Sequence, residues 1–262
     1  MLGAIAGDVI GSIYEWNNHK STEFTLFSKE CFFTDDSVLT IALAEAILDG
    51  RDYAVLLRDY GRRYPGAGYG GMFRRWLADP SMGPYHSFGN GAAMRVSPVG
   101  WACQTLEETL QKAESCTAVT HNHPEGIKGA QVVAGAIWMG RRGASKDEIR
   151  SWIQGHAGYD LSRSCDAIRP TYEFNETCQR TVPEAITAFL ESRDFEGAIR
   201  LAVSLGGDTD TLACITGSVA EAFYGGVPAA IERETLSRLD PPLRDVVRRF
   251  RDRYGYKALP HG

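Results

Sequence analysis

Apolar positions recur at three- and four-residue intervals through most of the chain, and convincing alternation of period two is scarce. In residues 2–14, Ile5, Ala6, Val9, Ile10 and Ile13 fall on one helix face, while Gly3, Gly7 and Gly11 form a stripe that allows close helix packing. Residues 35–49 repeat the amphipathic pattern and stop at Gly50. The same spacing predicts helices near 53–63, 70–78, 106–119, 125–141, 146–155, 182–192, 195–204, 209–224 and 241–253. Capping boxes mark three starts: Thr105 with Glu108, Ser145 with Glu148, and Thr181 with Glu184, the last with Pro183 in the first turn. No βαβ rhythm, tandem repeat, low-complexity tract or dividing linker interrupts this pattern. The expectation is a single all-α domain over residues 1–262.

Between the helices, residues 16–33 are predicted to form a mobile flap after the first helix. Residues 64–71 and 80–91 are rich in Gly and Pro, and 156–180 read as irregular. Long irregular segments tend to carry function. At 262 residues, 44% hydrophobic and 23% charged, the chain has the composition of a soluble globular protein. A net charge of −5 gives no basic footprint for general nucleic-acid binding. No apolar segment has the length to span a bilayer, and the start MLGAIAGDVIGSIYEW lacks the basic region of a signal peptide. Six scattered cysteines without a C-x-x-C pair argue for a reduced, cytoplasmic protein that binds no zinc through them. The default expectation for assembly is a monomer.

Candidate chemistry concentrates in two acidic clusters. Thr34-Asp35-Asp36 and Gly206-Gly207-Asp208-Thr209-Asp210-Thr211 lie about 170 residues apart, and each opens a predicted helix. Thr and Asp are ordinary N-cap residues, and acidic side chains suit a first turn. Yet Asp-Asp and Asp-x-Asp supply more charge than capping uses, and together they offer only hard oxygen ligands of the kind Mg²⁺, Mn²⁺ or Ca²⁺ take. Asp8 sits in an otherwise apolar helix and needs partners, from backbone or an Arg. Glu15, at the boundary of that helix and the flap, is the better acid/base candidate. Residues 86–95 read His-Ser-Phe-Gly-Asn-Gly-Ala-Ala-Met-Arg. Their Gly-Asn-Gly turn before an apolar helix is a phosphate-site candidate and also an ordinary turn signal. Arg95 is expected to be a structural ion-pair partner. His121 and His123, in Thr-His-Asn-His-Pro, suit phosphate or ribose contacts better than zinc. Phosphate-loop and G-x-S-x-G motifs are absent, and YPGAGYGG lacks the preceding strand of a dinucleotide fingerprint.

Five segments in order resemble the ADP-ribosylglycohydrolase family, which includes dinitrogenase reductase-activating glycohydrolase and the animal ADP-ribosylhydrolases. They are GAIAGDVIGSIYE, FFTDDSVLTIALAEAI, SFGNGAAMRVSPVG, THNHPEGIKGAQVVAGAI and SLGGDTDTLACITGSVAEAFYG. The resemblance implies an orthogonal all-α fold with two Mg²⁺ ions, for which Mn²⁺ could substitute. Thr34, Asp35 and Asp36 match its first ligand group, and Asp208, Asp210 and Thr211 its second. Glu15 matches a flap glutamate. Ser87, Phe88, Gly89, Asn90 and Gly91 match the loop that holds the diphosphate and the ribose, and His121 a ligand-lining histidine. The implied activity is hydrolysis at C1″ of ADP-ribose attached to a protein side chain or other conjugate, with Glu15, Asp35 and Asp36 in the reaction. A non-catalytic ADP-ribose sensor on the same scaffold is the alternative.

Overall fold

The computed structural model describes residues 1–255; residues 256–262, the end of the expected domain, lie outside them. Fifteen helices follow one another: α1 Leu2–Gly11, α2 Asp35–Asp49, α3 Tyr53–Arg63, α4 Gly71–Ala78, α5 Gly91–Met94, α6 Ser97–Ala102, α7 Leu106–Thr117 and α8 Pro124–Arg141, then α9 Lys146–Ala157, α10 Cys165–Ile168, α11 Cys178–Glu191, α12 Phe195–Ser204, α13 Thr209–Tyr224, α14 Ala229–Arg238 and α15 Pro241–Tyr254. Among the described residues, β pairing is limited to one isolated bridge between Gly89 and Thr177. The fold is all-α.

The glycine stripe organises it. Every residue of α1 is buried, and α1 runs antiparallel to α13 in backbone contact. A Cβ added at Gly3 or Gly7 would overlap the carbonyls of Gly217 or Ala213, and one at Gly11 would lie 2.5 Å from the Thr209 carbonyl oxygen. Only glycine tolerates that approach. Because the helices are antiparallel, the C-terminal end of α1 meets the N-terminal end of α13, where the Thr209 hydroxyl donates to the Gly11 carbonyl at 3.0 Å. The chain leaves the helix at Gly11 rather than continuing to residue 14. Ser12 turns its hydroxyl onto the Val9 carbonyl and accepts from the Phe32 amide.

Asp8 ties α1 to the start of α2. One carboxylate oxygen accepts the amides of Thr34 at 2.9 Å and Ser37 at 3.1 Å together with the Ser37 hydroxyl; the other accepts the Thr34 hydroxyl at 2.7 Å. Thr34 in turn caps α2 by accepting from the Asp36 amide at 3.3 Å, and α2 ends where Gly50 adopts φ 65°. Thus α1 grips the N-terminal ends of both α2 and α13.

Three expectations differ from what is observed. Helix α11 begins at Cys178, not near 182, so Pro183 lies inside it and Thr181 faces inward as an acceptor for Asn90. The Thr181–Glu184 capping box is therefore not formed. At α7, Thr105 accepts from the Glu108 amide, but Glu108 reaches the amide of Gln104 instead of closing the box. Ser145 and Glu148 do form the full reciprocal box. Finally, the 16–33 segment is tied down at several points. Lys20 donates to the carbonyls of Tyr172 and Leu205, and Arg200 to those of Thr22 and Phe24.

Candidate active site and metal centre

The two acidic clusters converge. Glu15, Asp35, Asp36, Asp208 and Asp210 line one cavity of about 250 Å³, together with Thr211. One carboxylate oxygen from each of Glu15, Asp208 and Asp210 lies within 4.8 Å of the others. The first cluster joins them through the Thr211 hydroxyl, 3.5 Å from an Asp36 oxygen. Two local features free the acids for this cavity. Asp208 occupies the N-cap position of α13 but makes no capping bond, so its side chain turns inward. Gly206 and Gly207, at φ 73° and 74°, bend the approach; a Cβ on either would lie within 3 Å of its neighbours. Thr34 behaves differently. Its hydroxyl serves Asp8 and the Asp36 amide, and Thr34 is not among the cavity-lining residues.

Crowding shifts these acids together. Partial burial, then the Asp208 charge, pushes Glu15 up to about 7. Burial, then Asp8 and Asp208, pushes Asp35 up to about 8. Asp36 and Asp210 are raised well above the usual carboxylate range, by burial first and then by Asp8 and Asp208 respectively. One oxygen of Asp36 has no oxygen or nitrogen donor among the described residues. Buried acids in this state need protons or cations. An all-oxygen donor set of carboxylates and a hydroxyl fits hard divalent cations such as Mg²⁺ or Mn²⁺. Asp35, Asp36, Asp208, Asp210 and Thr211 could hold them, with Glu15 alongside.

Beside the acids lies the Ser87–Gly91 loop, four of whose residues line the same cavity. It is clamped to residues 176–178: the Asn90 amide donates to the Glu176 carbonyl at 2.7 Å and the Cys178 amide to the Phe88 carbonyl at 3.0 Å. The Asn90 side chain bridges Thr181 at 3.2 Å and Asp208 at 2.6 Å, linking loop and acids directly. Ser87 accepts from the Gly89 amide at 3.1 Å. Just before the loop, His86 takes φ 54°, an unusual value for a residue with a Cβ, and its backbone N–H donates to Asn122 Oδ1 at 2.7 Å. Helix α5, which follows, is a single turn, and the amides of Ala92, Ala93 and Met94 are already bonded within it. These helix-start amides are thus taken up within the turn, so a ligand at this loop would meet its side chains and His121 rather than those amides. His121 remains: it is buried, lines the cavity, and directs Nε2 at Gly89 and Gly91. Phe88 is exposed and packs edge-on against His123, whose Nδ1 accepts from the Glu125 amide to cap α8. Arg95 is fully buried and lines the same cavity, but it has no carboxylate partner among the described residues, contrary to expectation.

This constellation, in this order along an all-α chain, can be set against known proteins. A model of the family described as ADP-ribosylglycohydrolase matches residues 1–259. The chain belongs to the ADP-ribosylglycohydrolase family. Among the family's characterised members, ADP-ribosylhydrolase ARH3 of Homo sapiens is 24% identical over 308 residues, covering 86% of this chain and 84% of the relative. ADP-ribosylarginine hydrolase Tri1 of Pseudomonas putida is 28% identical over 273 residues, covering 87% and 71%. A solved structure titled ADP-ribosylglycohydrolase-related protein complex superposes with a TM-score of 0.71 at 27% identity, covering 95% of each chain. No helix among the described residues is long and apolar enough to cross a membrane.

Two further parts of the cavity come from segments read only as irregular loops, without individual residues singled out. Phe174 and Glu176 line the cavity from the stretch read as irregular, and Trp16, 80% exposed, stacks on Phe174 with ring centroids 5.1 Å apart. No periodic signal marks either segment. Gly68–Met72, before and into α4, forms another wall; a Cβ on Gly68 would lie 3.3 Å from an Asp35 oxygen.

Proposed function

We propose that this chain is a Mg²⁺-dependent hydrolase that releases ADP-ribose from a conjugate by cleaving the bond at C1″ of its ribose. The observation that carries the reading is the convergence of both acidic clusters and Glu15 on one cavity that Ser87, Gly89, Asn90, Gly91 and His121 also line. In the reaction water adds across the bond: its hydroxyl goes to C1″ and its proton to the departing acceptor atom. Two ions held by Asp35, Asp36, Asp208, Asp210 and Thr211, with Thr34 bracing Asp36 rather than binding, would supply positive charge that fixes ribose hydroxyls and acidifies water. Mn²⁺ would substitute.

The chain's own groups do the rest. Glu15, with a carboxyl pushed up to about 7, is poised to exchange a proton near neutrality; a neighbouring cation would draw that value down again. Asn90 orients Asp208 through its 2.6 Å bond. The loop and His121 hold the diphosphate and the proximal ribose, which replaces part of the entropy cost of bringing water and C1″ together. On the open side, the Trp16–Phe174 stack and the acid of Glu176 suit a flat, cationic acceptor, an arginine side chain, through stacking and charge.

Incubation with arginine-, serine-, nucleobase- and acetyl-linked ADP-ribose, with and without Mg²⁺, tests the reading. Free ADP-ribose should appear with Mg²⁺ and vanish with a chelator, fastest from the arginine conjugate. ADP-ribose binding without turnover on any conjugate would establish the sensor instead.

A further inference from the structure

The buried cation at the floor of the cavity has no role in the scheme above. Arg95 has no exposed surface, and its Nε and Nη1 find no acceptor in the protein. Its Nη2 donates to the Thr120 hydroxyl at 2.6 Å and lies 3.5 Å from His121 Nδ1. The Thr120 hydroxyl itself is 2.8 Å from His121 Nδ1.

These contacts determine where the imidazole proton sits. A guanidinium can only donate, so it uses a lone pair of the Thr120 oxygen and leaves that hydroxyl's hydrogen for Nδ1, 2.8 Å away, the Tyr85 hydroxyl being the other group bonded to Thr120. A proton on Nδ1 would instead set an N–H against the guanidinium N–H. Nδ1 is thus an acceptor, and the imidazole hydrogen belongs on Nε2. That atom would lie 3.2 Å from a Cβ at Gly91 and 3.5 Å from one at Gly89, so it sits directly against the loop where both line the cavity. Burial, and then the Arg95 charge, holds His121 well below the ordinary histidine range, in keeping with an uncharged ring. The other ionisable groups around Arg95 are Tyr85, Cys116, Asp35 and Cys178.

We infer that Arg95 and Thr120 are positioning residues that lock His121 as an Nε2–H donor, making the cavity floor an anion subsite. This rests on the proposed function for the identity of the anion, the diphosphate of ADP-ribose, which would also answer the unopposed charge of Arg95. It assigns His121 no role as base or metal ligand: one nitrogen is engaged and the other carries the donated hydrogen.

The test is ¹⁵N NMR of the full chain with labelled histidine, His121 being assigned through His121→Gln, alongside ADP-ribose titration. The wild-type protein at neutral pH should show the Nε2–H tautomer. Thr120→Val, close in shape but without the hydroxyl, should shift the tautomer and weaken ADP-ribose by about tenfold, the scale of one hydrogen bond to a charged group. Thr120→Ser should restore both. An Nδ1–H or doubly protonated ring in the wild type overturns the inference, as does an unchanged tautomer or affinity in Thr120→Val. The tautomer arm needs no ligand. If ADP-ribose fails to bind wild type at all, the proposed function falls, and inorganic pyrophosphate in the same titration decides the anion subsite.

Discussion

Asp8 and Asp36 are both buried aspartates, 0% and 2% exposed, standing on packed helices a few residues from each other in space. Asp8 has donors for both oxygens, four in all. Asp36 has one oxygen with no oxygen or nitrogen donor among the described residues, and otherwise only a long contact to the Thr211 hydroxyl and a weak one to the Cys214 thiol. Their affinities for a proton differ accordingly: burial raises Asp8 only to about 6 against those bonds, while Asp36 stands well above the usual range. Burial alone therefore does not distinguish a structural acid from a candidate ligand. What distinguishes them is whether the protein has already satisfied the charge.

Substitution should separate the two acids most sharply. Asp8→Ala strands the amides of Thr34 and Ser37 and loosens the junction of α1 and α2. A loss on the order of 4 kcal/mol is expected in urea unfolding, since each orphaned buried donor costs about 1–3 kcal/mol. A wild-type midpoint would mean that Asp8 is dispensable to the fold. Asp36→Asn should leave metal-free stability unchanged or slightly higher, because it removes an uncompensated charge. Turnover should fall by more than the roughly hundredfold typical of losing an outer partner of a metal ligand, and Asp210→Asn should match it. If either variant retains activity, the metal assignment fails.

Magnesium should then stabilise the wild type, by about 2.7 kcal/mol at a hundred times its Kd, and do so increasingly with pH. The sign follows from the raised acids. Their folded values exceed the unfolded ones, so the native state holds protons that the unfolded chain has released. Metal-free stability is thus lost as pH rises from about 4 towards the Asp35 value of about 8. Cations replace those protons, and melting scans with and without Mg²⁺ should diverge as pH rises. Parallel curves would show that the acids do not bind the ion. The smallest effect comes from the loop side of the cavity. His121 is depressed, so its contribution is complete above about 6.5 and is lost as pH falls below it, because only the unfolded chain takes up the proton. His121→Gln should flatten that acid-side slope.

Much of this was legible in the chain before any coordinates. Thr34 and Gly50 bracket α2 as read, and the glycine stripe announced a close helix contact. The partner of that stripe was not legible, since it lies about 200 residues on, at Thr209–Gly217. Helix α11 was misplaced because Thr181, Pro183 and Glu184 imitate a helix start, although Thr181 answers to Asn90 from another part of the chain. The apolar helix expected after Gly-Asn-Gly is broken into two short pieces, α5 and α6, with Arg95 at the C-cap of the first rather than inside a helix; α10 is too short for periodicity, and α14 lacks a strong apolar stripe because it buries only Ile231 and Thr235. The acids were found by their excess charge. Their convergence followed from the family resemblance rather than from any local pattern, and the free charge of Arg95 and the pairing of Trp16 with Phe174 are tertiary facts.

Calorimetric titration of the metal-free chain with Mg²⁺, repeated on folded Asp36→Asn, tests the contrast between satisfied and unsatisfied acids most directly. The wild type should bind two ions and the variant should lose binding at one or both. Failure of the wild type to bind, or two-ion binding retained in Asp36→Asn, would contradict the account.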